Sequence, residues 1–255
     1  MAVSEREILD RPPPPADWRI AYGPEPQHFG DLRLPAGRGP HAVAIVLHGG
    51  FWREQYDLLH IGHLCAALTV RGIATWSLEY RRVGQAGGGW PGTLDDVKSG
   101  AAAIAGIAEL ESQRAIAIGH SAGGHLALLL AAEGAVAGAV SLAGVVDLLD
   151  GARLNLGRGA VQAFMGGPPE ALPEEYAMAS PKARLPLGVP QVLIHGELDD
   201  VVPIELSRAY QSAARAQGDD VELEALPRTG HFALIDPRSA AWPSVEAAVR
   251  SLLKV

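Results

Sequence analysis

Apolar residues in this chain fall into two alternating patterns: short runs rich in β-branched side chains, and longer stretches with helical spacing. Ala42 to Leu47 is continuously apolar, as expected of a strand buried on both faces. It stops abruptly at His48-Gly49-Gly50-Phe51-Trp52. Tyr56 to Val70 carries helical spacing, with Leu59, Leu64 and Leu68 among its apolar positions, and ends near Gly72. Ile73 to Leu78 predicts another strand, and a glycine-rich loop, Gly84 to Gly92, leads into a helix from about Thr93 to Leu110. Ala115 to Ile118 then reads as a strand and Leu126 onward as a helix, with a sharp glycine-bounded turn between them. Gly138 to Leu142 is a further strand. Regularity returns late in the chain, with a strand at Val192 to Ile194, a helix at Ile204 to Gln217, a strand at Val221 to Leu226 and a final helix at Ser244 to Leu253.

Two regions depart from this rhythm. Near the start, Pro12 to Pro15 is a short polyproline stretch, expected to form an extended surface arm. Trp18 to Tyr22 and Asp31 to Leu34 follow as two short strands, a hairpin at a sheet edge. Residues 148–189 hold five prolines and one convincing helical piece, Ala160 to Met165. A loop of that length inside a compact domain is usually a cap or binding loop. The expected organisation is therefore a single α/β domain over 1–255, with a mostly parallel central sheet, helices on both faces and a short cap at about 148–189.

Composition narrows the function classes. Of 255 residues, 48% are apolar and 20% charged, which is ordinary for a folded globular protein. A formal net charge of −8 argues against nucleic acid or an anionic membrane as partner. No run approaches eighteen consecutive apolar residues, so membrane insertion is not expected. Met1 to Asp10 mixes acids and bases and lacks an apolar core, so no signal peptide is expected and a cytoplasmic setting is the default. The one cysteine, Cys65, sits in an Ala/Leu-rich helical pattern and reads as a buried structural thiol.

In open α/β sheets function gathers just after the strands, at their carboxyl ends. Those positions hold His48 to Trp52, Tyr80 to Arg82, Ser121, Asp147, Asp199 with Asp200, and His231. Ser121 lies in Gly119-His120-Ser121-Ala122-Gly123, a Gly-x-Ser-x-Gly turn between a strand-like and a helix-like run, the setting of a nucleophile elbow. A serine needs a base in hydrogen-bond reach, and that base needs an orienting carboxylate. His231, after the last strand, is the candidate base. Asp199 and Asp200 compete for the acid, with Asp147 a third possibility. His195 ends a strand and could orient the acid loop. His120 is expected to point elsewhere, His125 to pack, and His28 and His41 to be solvated. His60 and His63 are spaced for a metal but have no apparent third ligand, so no metal is expected. The glycine-rich loop lacks a P-loop lysine and a dinucleotide fingerprint, so no cofactor is expected either. Trp90 within it is core or a wall of the site. The His48-Gly49-Gly50-Phe51 turn can aim backbone amides at an oxyanion.

From about Trp18 onward the chain resembles the α/β-hydrolase superfamily. His48-Gly49-Gly50-Phe51-Trp52 together with Gly119-His120-Ser121-Ala122-Gly123-Gly124 resembles hormone-sensitive-lipase-like esterases and, in its His-Gly-Gly-x-Trp form, the kynurenine formamidase group. His195-Gly196-Glu197-Leu198-Asp199-Asp200-Val201-Val202-Pro203 is similar to the pattern around the acid in such families, which implies Asp199. The resemblance also implies oxyanion donors at Gly50, Phe51 and Ala122, with Phe51 standing where the lipase-like esterases carry a third glycine and narrowing the pocket. The expectation is a cofactor-free serine hydrolase of small esters, with Phe51, Trp52 and Trp90 at the substrate. An arylformamidase with a formamide substrate and a non-catalytic ligand-binding protein are the competing readings. The oligomeric state is open.

Overall fold

A computed structural model describes residues 5–255; of the stretch Met1 to Asp10, residues 1–4 lie outside the described residues. Eight strands form one sheet: β1 (Trp18–Ala21), β2 (Phe29–Arg33), β3 (Val43–Leu47), β4 (Ala74–Leu78), β5 (Ile116–His120), β6 (Ala139–Leu142), β7 (Gln191–Gly196) and β8 (Val221–Leu226). Their order is β1-β2-β4-β3-β5-β6-β7-β8. The first two pairings are antiparallel and the rest parallel. The chain has the α/β-hydrolase fold. The predicted edge hairpin is β1 and β2, and β1 is exposed along its whole length.

Strand periodicity divides the core in two. Val43, Ile45 and Leu47 of β3 point into one apolar layer, while Ala44 and Val46 point into the other. The second layer is covered by α1 (Gly62–Val70) and α8 (Trp242–Leu253), through Leu64, Leu68, Val245 and Val249. The first is covered by α2 (Gly92–Ala103), α3 (Ala122–Ala132) and α7 (Ile204–Ala216). Helix α3 is buried from Ala122 to Ala131, because it is apolar on every side and sits under the centre of the sheet.

Several boundaries differ from expectation for local reasons. Only the second half of the 56–70 stretch is α-helical; Leu58–Ile61 is a 3-10 turn, whose first amides are met by the Asp57 side chain and the Glu79 carboxylate. The helix expected to reach Leu110 ends at Ala103, followed by a short 3-10 turn at Ile104–Gly106. Residues 148–189 contain three helices rather than one: α4 (Leu148–Arg153), α5 (Ala160–Met165) and α6 (Pro173–Ala179). Asp147 caps α4 by accepting from the amides of Leu149 and Asp150, and Pro173 opens α6 at a position where its missing N–H costs nothing.

This segment is tied to the sheet. Phe164 of α5 is buried and stacks on Trp52 with ring centroids 4.5 Å apart, and both rings meet His125 of α3 edge-on. His125 Nε2 donates to the Ala179 carbonyl of α6 at 2.8 Å. Phe164→Ala is expected to destabilise the protein by about 3–5 kcal/mol through the cavity it leaves. Urea unfolding measures this, and a loss below about 1 kcal/mol would show that the ring does not anchor the segment.

Candidate active site

The turn between β5 and α3 places Ser121 at φ 56°, ψ −119°, a conformation that L-residues rarely adopt and that functional sites store as strain. Glycine makes it possible. A Cβ on Gly119 would lie 2.0 Å from the Gly123 carbonyl oxygen, and one on Gly123 would lie 2.1 Å from that of Leu47. Strand, helix and the neighbouring β3 are thus closer than any side chain allows, and Ser121 stands where they converge. The Ser121 amide donates to Leu142 of β6 at 2.8 Å, fixing the turn to the sheet.

Ser121 and His231 border the same cavity, about 210 Å³ in volume, together with Gly50, Phe51, Tyr56, His60 and His120. His231 Nδ1 donates to Asp199 Oδ2 at 2.6 Å. That bond leaves Nε2 as the basic nitrogen of the neutral ring. Asp199 is held in turn: its Oδ1 accepts from the amides of Val201 and Val202 at 2.8 Å each, and His195 Nε2 lies 3.3 Å from Oδ2 while also donating to the Val202 carbonyl. Burial by itself would raise the Asp199 pKa. The hydrogen bonds from His195 and His231, the charge of His231 and the Val202 amide outweigh it and hold the carboxyl well below the usual range.

The two competing acids have other partners. Asp200 is exposed and faces Arg6 at 3.9 Å; Asp147 caps α4 and pairs with Lys182 at 2.9 Å. His120 departs from expectation: it lines the cavity, its Nε2 donates to the His231 carbonyl at 3.0 Å, and the two rings lie 4.4 Å apart. His28 is not solvated but stacked on Tyr22 and 2.9 Å from Asp96. His63 meets Arg11 at 3.0 Å. Among the described residues no group of three metal-ligating side chains occurs.

The loop after β3 runs Gly50, Phe51, Trp52 at φ 111°, 51° and 56°. Gly50 and Phe51 reach the cavity, but Trp52 turns inward and is fully buried against Phe164 and His125. Trp90 also stays away from the cavity: its amide donates to the Phe164 carbonyl and its ring packs on the core. Among the described residues, no hydrogen bond within the chain uses the amides of Gly50, Phe51 or Ala122. They remain available to an external acceptor.

A second buried carboxylate braces this loop. Glu79 Oε1 accepts from His48 Nε2 at 3.1 Å and from the Tyr80 amide at 3.0 Å, Oε2 accepts from the Leu58 amide at 3.2 Å, and Arg82 lies 3.4 Å away. Burial would raise the Glu79 pKa, but the charge and hydrogen bond of His48, then Arg82 and the Tyr80 amide, lower it overall. His48 also stacks on Tyr80 at 4.3 Å. Sequence reasoning missed Glu79, His60 and the 3-10 turn Glu5–Leu9, which brings Arg6 and Leu9 to the cavity wall. The only signal for that turn was the Ile8-Leu9 pair among charged residues.

The BD-FAE family model matches residues 31–213, a span that holds Ser121 and Asp199 and stops short of His231. Esterase LipC of Mycobacterium tuberculosis is 28% identical over 249 residues, 86% of this chain and 60% of that protein; the chain thus spans about three fifths of that curated relative. Among solved structures, a truncated carbohydrate esterase from gut microbiota superposes with a TM-score of 0.84 at 19% identity, covering 94% of this chain and 99% of that one. An esterase of the Planctomycetes species Thermogutta terrifontis gives 0.78 at 21% identity over 96% of each chain. That esterase has also been solved with propionate and butyrate bound and phosphonylated by sarin.

The buried imidazoles make stability depend on pH. Burial, then the charge of His48, lowers the His60 pKa to about 3; burial lowers His125 to about 4; burial and then His231 depress His120. Each ring is neutral when folded and charges more readily when unfolded, so its contribution is present above about pH 6.5, the ordinary imidazole value. It is lost as pH falls toward the folded values. Unfolding free energy by urea titration should therefore decline steadily from pH 7 to pH 4.5, and a flat profile would contradict the burial of these rings.

Proposed function

Since the chain belongs to the BD-FAE family, we propose that it is a serine esterase cleaving small carboxylic esters through an acyl-enzyme on Ser121. The observation that carries this reading is the hydrogen-bonded line from Asp199 through His231 into the cavity that Ser121 borders. As Ser121 Oγ attacks the acyl carbon, His231 Nε2 takes its proton and then delivers it to the leaving alkoxide. Asp199 keeps the ring in the productive tautomer and stabilises the imidazolium. The amides of Gly50, Phe51 and Ala122 receive the oxyanion, in a setting where fixed donors need no reorganisation. Water then attacks the acyl-enzyme with His231 as base, releasing the acid and restoring Ser121.

Cavity size supports small substrates: about 210 Å³ is below the range typical of sites for drug-sized ligands. The propionate- and butyrate-bound forms of the Thermogutta esterase are of the same scale. Residues 148–189 serve as a cap that acts at one remove. Gly157 sits against the Phe51 ring, its carbonyl accepts from Arg53, and Phe51 in turn borders the cavity.

A formamide would meet the same groups, but Trp52, the residue that motivated an arylformamidase, is enclosed by Phe164 and His125. The ester reading is therefore preferred. A non-catalytic binding role gives no reason for a buried carboxylate to hold a histidine at the mouth of a strained serine turn.

Ser121→Ala is expected to lower kcat for p-nitrophenyl acetate by at least about 10⁴-fold while leaving the unfolding midpoint near that of the wild type. A fluorophosphonate probe should label the wild type and not the variant. Equal turnover by both proteins would remove the acyl-enzyme mechanism, and a higher kcat/KM for N-formylkynurenine than for any ester would move the assignment to the formamidase.

A further inference from the structure

The 3-10 turn Glu5–Leu9 lies far from the catalytic residues in sequence but is fastened to both of their loops. The Glu5 carboxylate accepts from the Gly230 amide at 3.2 Å, one residue before His231. The Arg6 guanidinium lies 5.0 Å above the ring of Phe232, one residue after His231, and 3.9 Å from Asp200, one residue after Asp199. Ile8 is 1% exposed and packs into the core layer formed by α1 and α8. Just downstream, Arg11 binds both carboxylate oxygens of Asp236 at 3.0 and 3.3 Å. Between these anchors, Arg6 and Leu9 form part of the cavity wall.

Resting on the esterase reading, we infer that this turn is the wall of the leaving-group subsite and that Leu9 determines which alcohols the enzyme releases. The geometry of the reaction divides the cavity. The general acid must protonate the departing oxygen, so the alcohol portion lies beside His231. The carbonyl oxygen points at the oxyanion donors, so the acyl portion lies toward the loop after β3. Phe232 adjoins His231 and Val201 follows Asp199, while Leu9 lines the same cavity from the turn that Glu5 ties to Gly230 and Arg6 to the Phe232 ring. Phe51 and Tyr56 line it from the loop after β3, Tyr56 being packed against Gly50. The alcohol subsite is apolar apart from Arg6, which suits an alkyl or aryl alcohol. Its volume depends on Leu9, a partly buried side chain on a five-residue turn.

Two substrate series separate the subsites. One holds the leaving group constant, as p-nitrophenyl acetate, butanoate and hexanoate; the other holds the acyl group constant, as methyl, butyl, benzyl and 1-naphthyl acetate. The readout is kcat/KM, which covers the steps through loss of the alcohol. Leu9→Ala should raise the ratio of 1-naphthyl to methyl acetate by about 10-fold and Leu9→Trp should lower it by a similar factor, the scale expected when a pocket gains or loses a few methylenes. The acyl-length profile should stay within about twofold in both variants. Opposite shifts in the two variants cannot come from general loosening, and their thermal midpoints check that each is folded. Equal movement of both series, movement of the acyl series alone, or no movement would overturn the subsite assignment. A wild type that hydrolyses no member of either series would overturn the esterase reading itself, and the inference with it.

Discussion

The backbone at Ser121 is the constraint on which the rest of the site depends. Its φ of 56° with ψ of −119° costs on the order of 1–3 kcal/mol and persists only because the surroundings over-determine it. The turn lies in the middle of the sheet, with β3 on one side of β5 and β6 on the other. Its amide and carbonyl are both engaged, by Leu142 and by the amides of His125 and Val145. Glycines 119, 123 and 124 bring backbone against backbone where any Cβ would collide. The apolar helix α3 then anchors the far side of the turn in the core. Strain at one residue is thus supported by burial of ten others.

Two buried carboxylates extend that rigidity to the loops facing Ser121. Asp199 fixes His231 and is itself held by two amides and His195; Glu79 fixes His48 and joins the β3 loop to the turn at Leu58–Ile61. In both cases the charge is removed from water and answered by several donors, the condition under which a buried ion is tolerated. Taking away a single donor would leave a desolvated charge, so each carboxylate makes its loop behave as one piece. The serine turn, the His231 loop and the loop after β3 are then three rigid bodies meeting at one cavity.

The sequence revealed the parts of this arrangement that repeat or punctuate. Buried parallel strands read as apolar runs, and the abrupt glycine turns after β3 and β5 marked the strand ends where function collects. Residues whose position depends on distant partners were not legible. His120 was expected to turn away because it neighbours the serine, yet a hydrogen bond to the His231 carbonyl brings its ring to the cavity. Helices α4 and α6 are too short for periodicity to signal and exist because Asp147, Pro173 and the His125–Ala179 contact stabilise them. The turn Glu5–Leu9 is short, charged and remote in sequence. Only the Ile8-Leu9 pair gave it a reason to dock, and where it docks depended on Gly230, Phe232 and Asp200.

Trp52 shows how a motif can keep its form and lose its expected meaning. Read as a linear pattern, His-Gly-Gly-x-Trp puts an aromatic ring next to the expected oxyanion donors and invites a substrate contact. Three successive residues with positive φ, Gly50, Phe51 and Trp52, reverse the direction in which neighbouring side chains project. Phe51 is delivered to the cavity and Trp52 to the interior, where it stacks on Phe164. The tryptophan therefore couples the loop after β3 to helix α5. Phe51 lines the cavity from the loop after β3, and Leu9 lines it from a segment that no motif announces.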